Sequence, residues 1–384
     1  MTPDNTPTRT IKHLLREWHT AVDNTPYAQP PHYDGPDIEL ANLVEHTADV
    51  VPGSCFVARV RTGSDGHPYI PQAIERGAAL ILGQRPVDEL GFALPAHVPY
   101  LQVADTAESV AWLAAAWYGF PSREMTVIGV TGTDGKTSVS NLLFSILRTA
   151  GHKTGLISTI NAIIGDREEP TGLHVSTPEA PAVQRYLRRM ADVGTTHVIL
   201  ESTSHGLAQH RVTAVDYNVA VVTNITHEHL DYHGSYEAYL AAKARLFEMV
   251  AQGEAAHGGL RTAVLNRDDG SYAALAQIPV SQQIAYALDA LDQPADMRAQ
   301  TLVFGADATQ FEAMSPLLAE PLVISSPLVG KFNVYNMLAA LSTAVALNIS
   351  PTDIKTGLEA VQIISGRMQR LDEGQPFLVV VDFA

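Results

Sequence analysis

Residues Val127–Ser138 read VIGVTGTDGKTS, and this stretch limits what the chain can fold into more than any other. An apolar run leads into two glycines three apart, then a lysine and two hydroxyl residues. That is the pattern of a strand, an anion-cradling turn and the first turn of a helix. Gly132 and Gly135 allow backbone N–H groups to converge on an anion with no Cβ in the way. Lys136 offers a point charge to β- and γ-phosphates, and the Thr137 hydroxyl suits Mg²⁺. Thr133, Asp134 and Ser138 complete the loop. The spacing predicts a helix over Lys136–Thr149, with Leu142, Leu143, Ile146 and Leu147 as its apolar stripe and its positive end toward the phosphates. The motif departs from the general pattern at Val130, where a glycine would stand five residues before Gly135. The expected ligand is a nucleoside triphosphate.

From Met125 onward strands and helices alternate, which is the signature of an α/β fold with a mostly parallel sheet covered on both faces. Strands are expected at Val127–Val130, His197–Leu200, Val219–Thr223 and Thr262–Leu265, and a helix at Gly330–Ala346. Before that, short apolar runs (Cys55–Val60, Ala78–Leu82, Tyr100–Val103) alternate with turn clusters. Thr106–Tyr118 has helical spacing and ends at Gly119-Phe120-Pro121, an expected linker. At 384 residues the chain has room for two or three domains. Phe377–Phe383 reads as a buried-type strand with nothing after it to cover it, and a lone apolar edge is an aggregation hazard. The simplest expectation is a third domain that begins here.

A net charge of −16 argues against a nucleic-acid partner and against an anionic membrane surface, so an anionic ligand needs a local positive site. Cys55 is the only cysteine, which excludes an intrachain disulfide and fits a reducing compartment. With a polar N-terminus and no bilayer-length apolar run, the chain is expected to be soluble, cytoplasmic and free of membrane.

Further chemistry clusters in two segments. In Leu200–Arg211 (LESTSHGLAQHR), Glu201 follows an apolar strand, where ligands of open α/β sheets gather, and a carboxylate there can hold Mg²⁺. Thr203, Ser204, His205, Gln209 and Arg211 put polar groups nearby, although a polar loop capping the next helix fits this segment equally well. In Val222–Phe247, three histidines (His227, His229, His233) and two acids (Glu228, Asp231) crowd a strand exit beside Asn224. Lys243 lies on the helix that follows. Read from sequence alone it is a cation on a solvated face; buried, it would lose its proton and could react with CO₂ to a carbamate, an oxygen ligand for Mg²⁺.

The segments GTDGKT, ESTSHGLAQHR, TNITHEHLDYHG…YLAAK, LNRDD (Leu265–Asp269), GKFNVYN (Gly330–Asn336) and SGRMQR (Ser365–Arg370) occur in the order found in Mur ligases. They resemble most the branch that adds the third peptide residue to UDP-N-acetylmuramoyl-L-alanyl-D-glutamate. VPGSCFVA (Val51–Ala58) and DGHPYIPQAIERGA (Asp65–Ala78) resemble that branch's UDP-binding domain. The resemblance runs from about Leu40 onward. It implies an N-terminal α/β UDP-muramoyl-binding domain over 1–118 and a central P-loop ATPase domain over 119–370. Residues 371–384 would start a Rossmann-like third domain, truncated at its first strand.

The activity implied is ATP-dependent amide ligation through an acyl phosphate, in peptidoglycan synthesis, by a monomer. Its partners would be the UDP-N-acetylmuramoyl-dipeptide and an amino acid, and its cofactors ATP, two Mg²⁺ ions and a CO₂-derived carbamate. The resemblance assigns Lys136 and Thr137 to phosphates and first metal, Glu201 as a metal ligand, and His229 with a carbamylated Lys243 to the second metal. It also puts Arg367 at the γ-phosphate, Asn336 near the adenine and Asp382 near the ribose. Thr47, Thr62 and Ser64 would serve the uridine end; Ser176, Thr177, Thr203, Gln209 and Arg211 would hold the muramoyl-dipeptide.

Two departures from the family pattern stand out. Its Asp-Ser-Arg is here His46-Thr47-Ala48, and a glycine is expected near Arg61. The third domain, which closes over ATP and positions the amine, is expected to be missing after Ala384, so the chain as given should bind nucleotide but ligate poorly. The competing readings are a folylpolyglutamate-type ligase, against which SHGLAQHR and DGHPYI argue, and a silent nucleotide-binding homologue, against which the intact set Lys136, Glu201, His229, Lys243 and Arg367 argues.

Overall fold

The computed structural model describes residues 9–23, 25–61, 63–158, 161–171, 177–253, 259–289, 294–305, 307–371, 373–375, 377 and 379–382. Thr62 and Ser176 lie outside the described residues. The chain forms two compact units. The first is Met1–Pro121 together with Glu179–Arg188 and Gln209–Val215. The second is Ser122–Pro178, Arg189–Ala208 and Asp216–Ala384.

In the first unit, Leu43–Val44, Cys55–Val57, Leu80–Gly83 and Tyr100–Gln102 form a parallel sheet in that order. Alternation sends Cys55, Val57, Leu80 and Leu82 to one face, where they meet Trp18, Leu113 and Trp117. Phe56 and Ile81 go to the other, against Ile70, Ala73 and Leu90. Both faces are therefore buried, as a parallel sheet requires. The helix Ile11–Val22 covers the first face. It has the spacing of an amphipathic helix in Ile11, Leu14, Leu15, Trp18 and Val22, with Thr10 capping it through the His13 N–H.

The second unit is built on an eleven-stranded sheet, counted over the described residues. Its centre is parallel, in the order Thr154–Ile157, His197–Glu201, Thr126–Thr131, Val219–Val222, Thr262–Asn266, Gln282–Ala287 and Met297–Phe304. Antiparallel strands Asn161–Ile164 and Arg167–Pro170 extend one edge, and Thr309–Met314 and Leu322–Ser326 the other. The four strands expected at Val127–Val130, His197–Leu200, Val219–Thr223 and Thr262–Leu265 are present with their ends displaced by a residue at most. The helix Lys136–Thr149 forms as expected, with all four stripe residues fully buried. It packs with Lys331–Ala346 and Pro351–Ala360 over Ile128 and Val130. The other face of that central strand carries Gly129, where a Cβ would crowd Leu246 of the helix Tyr236–Gln252.

The path of the chain creates the site. After Thr126–Thr131 the next strand lies two places to one side, His197–Glu201 returns between them, and Val219–Val222 pairs on the opposite side. Such a reversal opens a crevice outside the carboxyl ends of the strands.

The C-terminal strand expected from the sequence is present as Val379–Val381, paired among the described residues with Gln369–Leu371 in a two-stranded ribbon, and its apolar side chains stand uncovered, Val380 38% exposed and Phe377 65%. A single ribbon leaves a face of each strand open to solvent. Phe383 lies outside the described residues. No helix among the described residues is long and apolar enough to cross a membrane.

Candidate active site

The loop after Thr126–Thr131 is shaped by glycine. Gly132 has φ +149° and Gly135 φ +81°, conformations that side chains with a Cβ rarely adopt. A Cβ on Gly132 would collide with the Thr223 hydroxyl, and one on Gly135 with the Asn336 amide oxygen. The loop is then clamped by the next strand's exit. Thr133 N donates to Asn224 O at 2.7 Å and Asp134 N to Asn224 Oδ1 at 3.1 Å. Thr223 Oγ1 donates to Asp134 O at 2.5 Å, and Thr226 N to Thr133 Oγ1 at 2.9 Å. Lys136 Nζ folds back onto Gly132 O (3.0 Å) and Thr133 O (2.7 Å). Burial lowers the Lys136 pKa, while the charges of Glu201, Glu228 and Asp134 oppose that shift.

Glu201 ends its strand fully buried, and Thr137 Oγ1 donates to its Oε2 at 3.2 Å. It therefore belongs to the strand end and not to a solvated capping loop. A hydroxyl beside a buried carboxylate is an oxygen donor set suited to Mg²⁺. Next to it, Thr177 Oγ1 donates to Glu201 O at 2.9 Å and lies 3.1 Å from Thr203 Oγ1. Thr203 Oγ1 in turn accepts from Gly206 N at 3.1 Å.

Lys243 corrects the reading made from sequence alone. Its side chain is not on a solvated face but 1% exposed, with Nζ donating to Gly132 O at 2.6 Å and standing 4.5 Å from the centre of the Tyr239 ring. The reason is helical geometry: Tyr239, Lys243, Leu246, Phe247 and Val250 share the inward face of Tyr236–Gln252. Burial, and after it the charge of Lys136, push the Lys243 pKa well below the usual lysine range. Tyr239 is not among the residues that the sequence points to. Its hydroxyl lies 3.1 Å from Thr133 Oγ1 and donates to Glu228 Oε2 at 3.3 Å, and its place four residues before Lys243 is the signal that could have found it.

His229 has φ +54° and a half-exposed side chain 3.7 Å from Glu228. The His205 ring packs against it at 4.8 Å and against Tyr232 at 4.2 Å. Burial, with the charge of Lys243, lowers the His233 pKa. Among the described residues no three His, Cys, Asp or Glu side chains converge as a ready metal cage. A divalent ion here would complete its shell with phosphate oxygens and water. Ser138 and Asn336 are buried. Arg367 lies in the turn after Ile364, and its charge acts on Lys136. Asp382 Oδ1 accepts from Met368 N at 3.0 Å, one residue from Arg367.

The first unit gathers a different kind of site. Gln209 Oε1 accepts from Arg211 Nε at 3.1 Å and Nη2 at 2.7 Å. Arg211 reaches Glu179 at 3.3 Å, Glu179 lies 3.8 Å from Arg61, Arg61 pairs with Glu45 at 2.5 Å, and Glu45 lies 3.4 Å from Arg59. Arg59 is 5% exposed, and its Nη2 donates to Gln209 O at 3.2 Å. Nothing in the sequence singles out Arg59, Glu45 or Glu179. Ser64 pairs with Arg61 in the hairpin register, and Thr47 accepts from Arg76 Nη1 at 2.8 Å through its carbonyl. A cavity of about 490 Å³ is lined by Asn42, Glu45, His46, Trp117, Tyr118 and Arg185, among others. The DGH segment is a backbone anchor: His67 Nδ1 lies 2.5 Å from Asp65, and its Nε2 accepts from Gln84 N and Arg85 N.

Comparison with known proteins agrees with this geometry. The family profile for the Mur ligase middle domain matches residues 130–344. The UDP-N-acetylmuramyl-tripeptide synthetase of Roseiflexus sp. (strain RS-1) is 40% identical over 363 residues, which cover 93% of this chain and 70% of that protein. The UDP-N-acetylmuramoyl-L-alanyl-D-glutamate–2,6-diaminopimelate ligase of Bacillus licheniformis is 37% identical, covering 92% of this chain and 70% of its own. A solved structure of a UDP-N-acetylmuramoyl-L-alanyl-D-glutamate–2,6-diaminopimelate ligase superposes with a TM-score of 0.77 at 24% identity, covering 98% of this chain and 72% of that one. Strand order, phosphate loop and sequence identity converge, and the chain belongs to the Mur ligase family.

Proposed function

We propose that this protein is an ATP-dependent amide ligase that adds the third amino acid to UDP-N-acetylmuramoyl-L-alanyl-D-glutamate in peptidoglycan synthesis. The observation that carries the reading is the buried Thr137–Glu201 pair beside the glycine-shaped loop Gly132–Gly135, in a chain 40% identical to a tripeptide synthetase. The glycine cradle fits the phosphates of ATP. Lys136 and Arg367 place positive charge at the γ-phosphate, and Asn336, Ser138 and Asp382 complete the nucleotide site. In the reaction, a substrate carboxylate oxygen attacks the γ-phosphorus, the β–γ P–O bond breaks and ADP leaves. The amine of the incoming amino acid then attacks the acyl carbon, the C–O bond breaks, phosphate departs and the amine proton is released.

Two Mg²⁺ ions, one held by Thr137 and Glu201 and the other by His229 and a carbamylated Lys243, would supply neutralisation of the phosphate charge. The donor chemistry supports this. Lys243 is held toward its neutral form, which is the form that combines with CO₂, with loss of a proton, to give a carbamate oxygen ligand. On the substrate side, the cavity beside Glu45 and His46 takes the uridine, and Thr47, Thr62 and Ser64 would serve the uridine end. Arg211 and Gln209, with Ser176, Thr177 and Thr203, hold the muramoyl-dipeptide; a guanidinium suits its carboxylates. On this reading residues 1–118 are the UDP-muramoyl-binding domain, 119–370 the ATP-binding domain, and the protein works as a cytoplasmic monomer.

The test is calorimetric titration with UDP-N-acetylmuramoyl-L-alanyl-D-glutamate in the presence of Mg²⁺ and a non-hydrolysable ATP analogue. Saturable binding tighter than that of UDP-N-acetylmuramate is expected. Absence of binding while the analogue still binds would overturn the substrate assignment.

A further inference from the structure

A charged cleft of the second unit lies away from the phosphate loop. It has a volume of about 880 Å³ and is lined by Arg148, Lys153, Arg167 and Arg189 against only Asp166 and Asp192. Arg148 closes the helix that Lys136 opens, so about 20 Å of helix separates the cleft from the phosphate site. It sits at the amino ends of the parallel strands, where Thr154 pairs with His197.

Two of the four cations have ordinary structural work. Arg148 and Arg189 stand in the last turns of their helices and offset the carbonyl ends there, and Arg189 is bound by both oxygens of Glu169. Arg148 also lies 5.6 Å from the centre of the Phe144 ring and 3.5 Å from Asp166, whose side chain is 96% exposed.

Lys153 and Arg167 have no such employment. Lys153 lies in the turn before Thr154–Ile157, and Arg167 begins the strand Arg167–Pro170. Among the described residues neither side chain makes a hydrogen bond or ion pair. Lys153 Nζ lies against the turn at Gly194, where a Cβ would stand 3.3 Å from it. In a chain with 41 acidic and 25 basic residues, a cleft lined by four Lys and Arg side chains and two aspartates runs against the general balance. Turns at Gly151 and Gly165 in the wall leave the cations unscreened by side chains, and Val193 is 50% exposed.

We propose that this cleft is a second anion site, separate from the phosphate loop, which takes a compact ligand bearing two or more phosphate groups. Lys153 and Arg167 provide the charge, with Arg148 able to exchange its exposed carboxylate for the ligand. The proposal does not depend on the ligase reading.

The experiment is calorimetric titration of the full chain carrying Lys136→Ala with inorganic tripolyphosphate, without Mg²⁺, and then with ATP. One equivalent of saturable binding is expected to survive Lys136→Ala and to weaken at least about tenfold when Lys153→Glu and Arg167→Glu are added. ATP binding tighter than tripolyphosphate would mark a nucleotide as the source of the phosphates, and equal binding a free polyphosphate; both support the site. Should the charge reversals unfold the chain, Lys153→Gln and Arg167→Gln replace them with the same expectation in direction. Binding that vanishes with Lys136→Ala, that ignores Lys153 and Arg167, or that never saturates overturns the proposal.

Discussion

The phosphate loop and the arginine cluster of the first unit are built on opposite principles. The loop is a backbone site. Its shape comes from Gly132 and Gly135, its clamps are largely main-chain groups held by Thr223, Asn224 and Thr226, and Lys136 is turned onto its carbonyls. The cluster is a side-chain site, a relay of Gln209, Arg211, Glu179, Arg61, Glu45 and Arg59 drawn from four separate stretches of chain. The difference predicts where damage appears. A side chain removed from the loop should cost ligand affinity, whereas one removed from the buried end of the relay should cost folding stability.

The largest effect on stability is expected from Arg59→Leu. It leaves Glu45, whose side chain is 8% exposed, with one partner fewer, and breaking a buried pair costs about 3 kcal/mol or more. Urea denaturation measures it, and Arg61→Leu, at a side chain 33% exposed and open to solvent on one side, should shift the same curve by less. Equal shifts would show that burial does not divide the relay. Next comes Lys136→Ala, expected to weaken binding of an ATP analogue roughly a hundredfold, about 3 kcal/mol, while leaving the urea midpoint unchanged or higher. A lowered midpoint would contradict the view that this cation serves the ligand and not the fold.

Gly135→Ala tests the backbone half directly. At φ +81° and against Asn336, the new methyl should lower stability by about 1–2 kcal/mol, with Asn336→Ala restoring the steric part in a double-mutant cycle. The smallest effect near neutrality is a matter of slope. Lys243 has a depressed pKa in the folded chain, so between that value and the unfolded one, about 10.4, the unfolded chain holds a proton that the folded chain has released. Stability should therefore rise with pH through that window and lose this gain as pH falls below it. Lys243→Met should flatten the rise by up to one proton; an unaltered slope would mean that another group titrates.

The same contrast explains how much the amino-acid sequence discloses by itself. The phosphate loop, its strand and its helix are contiguous, and glycine followed by Lys-Thr has few physical uses, so the element and its residues are legible together. Glu201 is legible only as one of two equal readings, and burial at a strand end decides it. Lys243 is misplaced by its sequence because AAKARLF carries a polar residue on a face that only the packing of Tyr239 and Leu246 shows to be inward. The relay is hidden for a different reason: an ion pair between residues 45 and 59, or 179 and 211, leaves no periodic trace in sequence. The terminal strand is legible from its apolar run, whereas its ribbon partner Gln369–Leu371 carries no such pattern.

The clamp on Asp134 has one further consequence. A flexible loop would spend only part of its time in the shape that accepts phosphates, and its apparent affinity would fall by that fraction. Here the Thr223 hydroxyl and the Asn224 amide hold the Asp134 peptide from both ends before any ligand arrives. Affinity for nucleotide is thus written partly into a strand end outside the loop itself, and selection on tight binding would act on Thr223 and Asn224 as firmly as on the lysine.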